Sequence, residues 1–355
     1  MTAAPGHAVT TAEAAPDALV LSAWSAISPF GVGGAAFAEG VRAGASALAP
    51  SDGPFPSAAL VPDFSAQEAL GRKGTRSMDR VTALAVSTVG RLLEECGPQL
   101  LAQPDRVGVV LGTGSGSVQS IMDFTKDALT GDKPYHVDPA LFPNTVMNRA
   151  AGQSAIWHRI KGPNTTIAGG ALTGLLALSY ATRLLRGGHC DGVLVGAAEE
   201  YSAQRAWLEW RGSEGAAAPL GEGGAVFLLE PERAASAAGR PVLARPLATR
   251  FRGFFDPAGA GEALTACVRS ALADAGVAAD DIAFVSTDGA QEDAVAAALG
   301  RTPEWLRCAP LVGDTSAASA SFQLAAALAT GRSGHALVTG VEPDGTVGCT
   351  VLGLP

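Results

Sequence analysis

The sequence predicts an α/β fold with mainly parallel sheets that are buried on both faces. Short runs rich in valine, isoleucine and leucine alternate with longer alanine- and leucine-rich patterns of helical period. The short runs are solidly apolar, which suits strands covered on both faces. The predicted strands are 17–25, 105–114, 191–200, 223–232, 281–289, 335–343 and 349–355. The predicted helices are roughly 78–96, 116–130, 171–187, 260–275 and 316–330.

An alanine-, arginine- and proline-rich stretch at 231–245 separates two halves of the chain. Each half contains a helix–strand rhythm followed by a glycine-rich turn, which indicates an internal duplication. We therefore expect a flexible N-terminal tail over 1–16, an N-terminal half over 17–235 and a C-terminal half over 236–355.

Composition and charge argue against several classes of function. The chain has 355 residues, of which 47% are hydrophobic and 17% charged, so it has enough apolar material for a large core. The net charge is −9, and no cluster of lysine and arginine is dense enough to attract phosphate backbones. Nucleic-acid binding is therefore not expected, although an acidic protein can still dock on a basic patch of a partner.

The cysteines and the N-terminus indicate a cytoplasmic protein without a metal site. Five scattered cysteines form no C-x-x-C pair and no cluster with histidine, so we expect reduced thiols and no metal or other cofactor. The first residues contain neither the basic nor the apolar segment of a signal peptide. Glycine, threonine and arginine interrupt the apolar runs, so no membrane span is expected.

The segment GPNTTIAGGALTGLLAL (162–178) resembles the nucleophile turn of β-ketoacyl synthases, members of the thiolase superfamily. The residues that carry the likeness are Gly162, Pro163, Thr166, Leu175, Ala177 and Leu178. Further segments resemble the family in order and spacing: 25–48, 142–156, 195–200, 221–230 and 261–285. The likeness spans nearly the whole chain. It implies a thiolase-like five-layer αβαβα fold with two duplicated halves, the second one shortened.

The resemblance also shows which chemistry is missing. A condensing enzyme needs a thiolate at a helix N-terminus and two imidazoles that promote decarboxylation and stabilise the enolate. Aligned with the family's turns, this chain has Ala171 at the cysteine, Asp288 at the first histidine and Asp314 at the second. The family's late Gly-Phe-Gly-Gly-Thr-Asn turn reads EPDGTVG (342–348). Three coordinated losses predict a non-catalytic homologue.

The family includes such a branch, the chain-length factors of bacterial type II polyketide synthases. The resemblance implies a heterodimer with an active ketosynthase, which supplies the catalytic residues and most of the docking site for an acyl carrier protein. The growing polyketide would extend into a tunnel at the dimer interface. Aromatic chain-length factors commonly carry glutamine where this chain has Ala171. The alanine and the short second half favour the highly reducing, polyene-forming kind.

In such a protein, function would depend on the shape of the tunnel. The resemblance places the helix after GTGSGS (112–117) in the tunnel wall, where Gly116, Gln119, Ser120 and Asp123 form one face and Phe124 lies on a neighbouring face. Asp123 is either a polar gate for the chain or an ordinary solvated surface carboxylate. Three residues of the interface segment, Phe142, Thr145 and Met147, are either contacts to the partner's pocket or ordinary packing residues.

Two other functions stay open at this level. One is an acyl-thioester enzyme with rebuilt chemistry that uses Asp288 or Asp314 as an acid or base. The other is a purely structural stabiliser of a ketosynthase, without a tunnel. Glu199 and Glu200, at the end of a predicted strand, are expected to be hydrogen-bonding groups where layers meet.

Overall fold

We describe a computed structural model of the chain over residues 17–215 and 218–355. The expected tail, 1–16, lies outside these ranges. The strands are β1 (Leu19–Ser28), β2 (Gly31–Val32), β3 (Ala49–Pro50), β4 (Ser57–Ala58), β5 (Val107–Gly112), β6 (Asn164–Ile167), β7 (Gly192–Glu199), β8 (Gly223–Pro231), β9 (Arg245–Gly253), β10 (Ile282–Thr287), β11 (Trp305–Arg307), β12 (Gly334–Glu342) and β13 (Thr346–Leu354). The α-helices are α1 (Gly34–Ala43), α2 (Ala66–Leu70), α3 (Arg80–Cys96), α4 (Val118–Thr130), α5 (Arg149–His158), α6 (Thr173–Arg186), α7 (Ala203–Gly212), α8 (Glu232–Ala237), α9 (Ala260–Ala275), α10 (Glu292–Leu299), α11 (Ala309–Val312) and α12 (Ser319–Ala329).

Each predicted strand and helix corresponds to an observed element, within a few residues at its ends. Strand β9 was not predicted, because its arginine-rich sequence RPLATRFRG is not an apolar run. Its side chains are mostly half-buried or exposed, which explains the composition. Five short strands (β2, β3, β4, β6 and β11) also gave too little signal to be found.

The expectation of mainly parallel sheets is wrong, because both large sheets are mixed. In the first sheet, β5 pairs in parallel with β6 and β7, whereas β8 runs antiparallel to both β7 and β1. In the second, β10 pairs in parallel with β11 and β12, whereas β13 is antiparallel to β12 and β9. Apolar runs report burial on both faces and carry no information on strand direction.

The two sheets have the same topology. The first has the order β2-β1-β8-β7-β5-β6 and the second the order β11-β10-β12-β13-β9. From β1, the first sheet continues with the last strand of its half (β8), the one before it (β7) and then the second long strand (β5). From β9, the second sheet continues in the same way with β13, β12 and β10. The predicted duplication is confirmed. The boundary between 235 and 236 stays a prediction; it falls within α8, between β8 and β9.

Helices cover both sheets and give the predicted five layers. Helices α3 and α5 lie on the outer face of the first sheet, and α9 and α10 lie on the outer face of the second. Helices α6 and α12 form the central layer and contact both sheets. Along β5, Val110 points to the central layer while Val109 and Leu111 point outward, as the period of two requires.

Candidate functional site

The turn between β6 and α6 is the position of the nucleophile in the resembled family. It runs through Gly169 and a 3₁₀ turn at Gly170–Leu172 before α6 begins at Thr173. The Thr173 hydroxyl donates to the carbonyl of Gly170 (2.7 Å) and accepts from the N–H of Gly169 (3.0 Å), which fixes the turn. Gly170 has φ of 52°, a left-handed conformation that favours glycine. Ala171 therefore occupies the helix-entry position that the sequence predicted.

The carboxylate of Glu342 closes this turn. The backbone N–H of Ala171 donates to Glu342 Oε2 over 2.7 Å. A Cβ at Gly170 would lie 1.4 Å from the same oxygen, so only glycine leaves room for the carboxylate. Amides at a helix entry attract anions, because their N–H groups are unpaired and the helix dipole is positive there. An internal carboxylate thus occupies the donor that an anionic ligand would otherwise use.

Asp288 and Asp314 are held in local turns. Asp288 follows β10 and accepts hydrogen bonds from the backbone N–H of Ala290 (2.9 Å) and of Val341 (3.2 Å). Burial raises the pKa of Asp288 to about 6, and the nearby charge of Asp314 adds to this effect. Asp314 accepts from the N–H of Ser316 at 2.8 Å. Both carboxylates therefore accept backbone hydrogen bonds within their own turns.

The three residues predicted to replace catalytic groups lie together around the start of α6. The turn at Gly170–Leu172 contacts both β12 and the 3₁₀ turn Ser316–Ala318 that follows Asp314. Val341, which donates to Asp288, is the neighbour of Glu342 in β12. The region therefore presents carboxylates and a methyl group where a condensing site needs a thiolate and two imidazoles.

The histidines in the described ranges lie in other places. His158 ends α5 and bonds the carbonyl of Val86 through Nε2 (2.8 Å), and burial lowers its pKa. His335 lies near the start of β12, whereas Glu342 is the last residue of the same strand. His136 and His189 lie in turns. None of these four replaces an imidazole of the condensing site.

The residues predicted to line a tunnel do lie close together on the surface. Gln119 Nε2 donates to Asp123 Oδ2 over 2.6 Å on the exposed side of α4. The rings of Phe124 and Phe142 are 5.9 Å apart and tilted. The Thr145 hydroxyl donates to the carbonyl of Phe142 at 2.8 Å. The role of Asp123 in a tunnel stays a prediction.

Gly116 and Ser117 fix the position at which α4 starts. Gly116 has φ of 68°, and a Cβ there would lie 3.3 Å from the Cα of Met147, so the two backbones approach closely. Ser117 caps α4, accepting from the N–H of Ser120 at 3.2 Å. The predicted helix 116–130 consequently begins two residues later, at Val118.

The buried carboxylates of Glu199 and Glu200, at the end of β7, bond the segment that leads into α4. Glu199 accepts from the N–H of Gly114 at 2.8 Å, and burial raises its pKa. Glu200 accepts from the Ser117 hydroxyl at 3.0 Å and from the N–H of Val81, at the start of α3, at 3.1 Å. The expected hydrogen-bonding role of both glutamates is confirmed.

Exposed apolar side chains lie on the segment that joins α4 to α5 and on α5 itself. We call this surface the α4–α5 face; it comprises Phe142, Val146, Met147 and Ile156. The exposed Met122 lies on the other side of α4, where it lines a pocket with Trp207 and Leu208 of α7. Phe142 is 56% exposed and Ile156 is 72% exposed. Next to it, β6 pairs only with β5 within the described ranges, so its other edge is unpaired. Large exposed apolar patches and free strand edges are typical of surfaces that bind another chain.

Sequence reasoning missed the role of Glu342 and did not find the particular partners of Glu200. The replacement of the family's first glycine by Glu342 was visible, but its contact with Ala171 joins residues 171 positions apart. The link from Glu200 to Ser117 likewise depends on the tertiary fold. In the described ranges, no helix is long and apolar enough to cross a membrane. Over the same residues, no group of three or more histidine, cysteine, aspartate or glutamate side chains is placed to hold a metal ion.

The chain is similar to known synthases in sequence. The family model described as the N-terminal domain of beta-ketoacyl synthase matches residues 18–235, more than half of the chain. The chain is 26% identical over 258 residues to 3-oxoacyl-[acyl-carrier-protein] synthase 2 of Vibrio cholerae, covering 65% of this chain. That match spans only 62% of the relative's own length.

Solved structures extend the similarity to nearly the whole chain. A chain of the structure described as the ishigamide ketosynthase/chain length factor is 42% identical, with a TM-score of 0.85, and the match covers 95% of this chain and 99% of that one. A type II polyketide synthase acyl-carrier protein in complex with its ketosynthase contains a chain with the same fold, at 16% identity and a TM-score of 0.81, with 96% and 100% covered. The predicted thiolase-like fold and the resemblance to ketosynthase/chain-length-factor proteins are both confirmed, and the chain belongs to the β-ketoacyl synthase family.

Proposed function

We propose that this chain is a non-catalytic subunit of a type II polyketide synthase, which pairs with an active ketosynthase and sets the length of the polyketide. The observation that carries the proposal is the turn at Ala171. A methyl group cannot be acylated, and Glu342 occupies the N–H of the same residue. With carboxylates at Asp288 and Asp314, the condensation chemistry must come from another subunit.

The α4–α5 face supports an active ketosynthase as the partner. The partner would cover Phe142, Val146 and Ile156 and pair with the free edge of β6. Obligate interfaces are large and have an apolar core, which matches the exposed side chains of this face. In this arrangement the partner provides the cysteine, both histidines and most of the docking surface for the acyl carrier protein.

The 42% identity to a chain of the ishigamide ketosynthase/chain length factor supports the chain-length role. Alanine at position 171, where aromatic chain-length factors commonly have glutamine, favours the highly reducing, polyene-forming kind. We place the protein in the cytoplasm, since all five of its cysteines are buried free thiols.

The first experiment separates a non-catalytic subunit from an enzyme with rebuilt chemistry. The purified chain is incubated with malonyl- and acyl-thioesters, and thioester consumption is followed with and without a purified active ketosynthase as partner. We expect consumption only in the pair. Turnover by the chain alone that is abolished by Asp288→Asn would overturn the proposal, because Asp288, with its pKa raised to about 6, is the best acid or base at the site.

The second experiment separates a chain-length role from a purely structural one. Asp123→Phe and Ser120→Phe add bulk to the predicted tunnel wall, and the reconstituted pair should then make shorter products. Thr125→Phe is the matched control, because Thr125 is exposed two positions further along α4 and points to the opposite side of the helix. If all three variants pair normally and give the wild-type product length, the chain only stabilises its partner.

A further inference from the structure

Helix α4 is weakly attached to the body of the protein. None of its residues, Val118–Thr130, is buried. Its packing neighbours are the 3₁₀ turn at Phe142–Thr145 and α7. A helix without buried side chains is stabilised little by hydrophobic packing, so its position depends on the contacts at its ends. At its C-terminal end, Gly131 is exposed; at its N-terminal end, Gly116 and Ser117 are buried.

The side chain of Glu200 connects this N-terminal end to the core. Its Oε1 accepts from the Ser117 hydroxyl (3.0 Å) and from the N–H of Gln119 (3.4 Å). Its Oε2 accepts from the N–H of Val81, in the first turn of α3 (3.1 Å). Helix α3 packs on β1, β7 and β8, so it is part of the rigid body of the fold. One carboxylate therefore joins the starts of two helices, one fixed and one peripheral.

We propose that Glu200 is the positioning residue of α4: it holds the start of the helix against α3 and so sets where the predicted tunnel wall lies. The inference rests on the proposed role of α4 in determining chain length. Gln119 and Ser120, which belong to the predicted wall, lie within one helical turn of Ser117, whose hydroxyl bonds Glu200. An open pocket of about 210 Å³ beside Glu200 is lined by both of them, so the wall has room to move if Glu200 no longer holds the start of α4.

Charged groups around Glu200 come from three elements. Asp79, the cap of α3, faces it and raises its pKa, whereas Arg80 is engaged by Glu222. Glu199, the last residue of β7, directly precedes Glu200. Arg205 of α7 donates to the backbone carbonyl of Glu200. Burial is the largest influence and raises the pKa of Glu200 to about 7. The ionised carboxylate accepts from both the hydroxyl and the amide of the α4 cap.

The test uses amide hydrogen exchange of the full chain. Glu200→Gln places an amide nitrogen against one of the N–H donors and so cannot satisfy both helices. We expect exchange at Gln119 and Ile121 to rise at least about fivefold, while the central strands keep their protection.

Two further variants make the result decisive. Ser117→Ala removes the contact with Glu200 together with the N-cap of α4, and should give faster exchange in α4 without affecting Val81. Glu95→Gln, at an exposed carboxylate of α3, is the matched control and should exchange like the wild type. Unchanged protection of α4 in Glu200→Gln would overturn the positioning role.

Product analysis of the reconstituted pair separates this inference from the proposed function. If Glu200→Gln loosens α4 and also broadens the distribution of product lengths, both are supported. If α4 loosens and the products are unchanged, the positioning of α4 by Glu200 holds, but its control of chain length is wrong.

Discussion

A cysteine introduced by Ala171→Cys should be a poor nucleophile as long as Glu342 is present. The carboxylate lies 2.7 Å from the N–H of residue 171, so the new sulfur would be within about 5 Å of it. Two negative charges at about 5 Å, with an effective dielectric constant of about 20, repel by about 3 kcal/mol. Glu342 is partly exposed, and solvent screening reduces this to about 1.4 kcal/mol, or about one pKa unit. At pH 7.5, alkylation should then be about tenfold slower than without the carboxylate.

The assay is alkylation by iodoacetamide, followed by mass spectrometry of the peptide that contains residue 171. The background is low, because all five native cysteines are buried, and burial raises the pKa of Cys96 and Cys308 to about 12. Ala171→Cys with Glu342→Gln should react about tenfold faster than Ala171→Cys alone. Asp344→Asn, an exposed carboxylate in the same turn, is the matched control and should give no acceleration. Equal rates in the presence and absence of Glu342 would refute the view that this carboxylate blocks the turn.

Two predictions concern stability. The folded-state pKa of Asp288, about 6, lies above its ordinary value of 3.8, so its favourable contribution is complete below about pH 4 and is lost as pH rises through 6. Asp288→Asn should therefore flatten the decline in the free energy of unfolding between pH 4.5 and 7.5 by about 2 kcal/mol, measured by urea unfolding. A parallel decline in wild type and variant would contradict this. Arg80 bonds the fully buried Glu222 through Nε at 2.7 Å. Arg80→Met should lower the free energy of unfolding by about 2–3 kcal/mol, because it leaves that buried carboxylate without its cation. Arg91→Met removes the cation of an exposed pair with Glu94 and should lower it by less than about 1 kcal/mol. Equal losses in melting experiments would exclude a special role for the buried pair.

Much of the fold was predictable because its signals are local. Solid apolar runs marked β5, β7, β8, β10 and β12, since each is covered by a helical layer on both faces. Strand direction was not predictable, because an apolar run has the same composition in either orientation. The arginine-rich β9 lies at the edge of the second sheet, where side chains reach solvent, and it gave no such run.

By itself, the sequence predicted that the family's catalytic residues are replaced, because the resemblance places Ala171, Asp288 and Asp314 at their positions. Only the tertiary structure decided which groups surround these positions. Glu342 reaches Ala171 because β12 ends beside the start of α6, and Glu200 reaches Ser117 because β7 ends between α3 and α4. Hydrogen bonds act over about 3 Å and depend on direction, so a pairing between residues 83 or 171 positions apart exists only once the layers have packed.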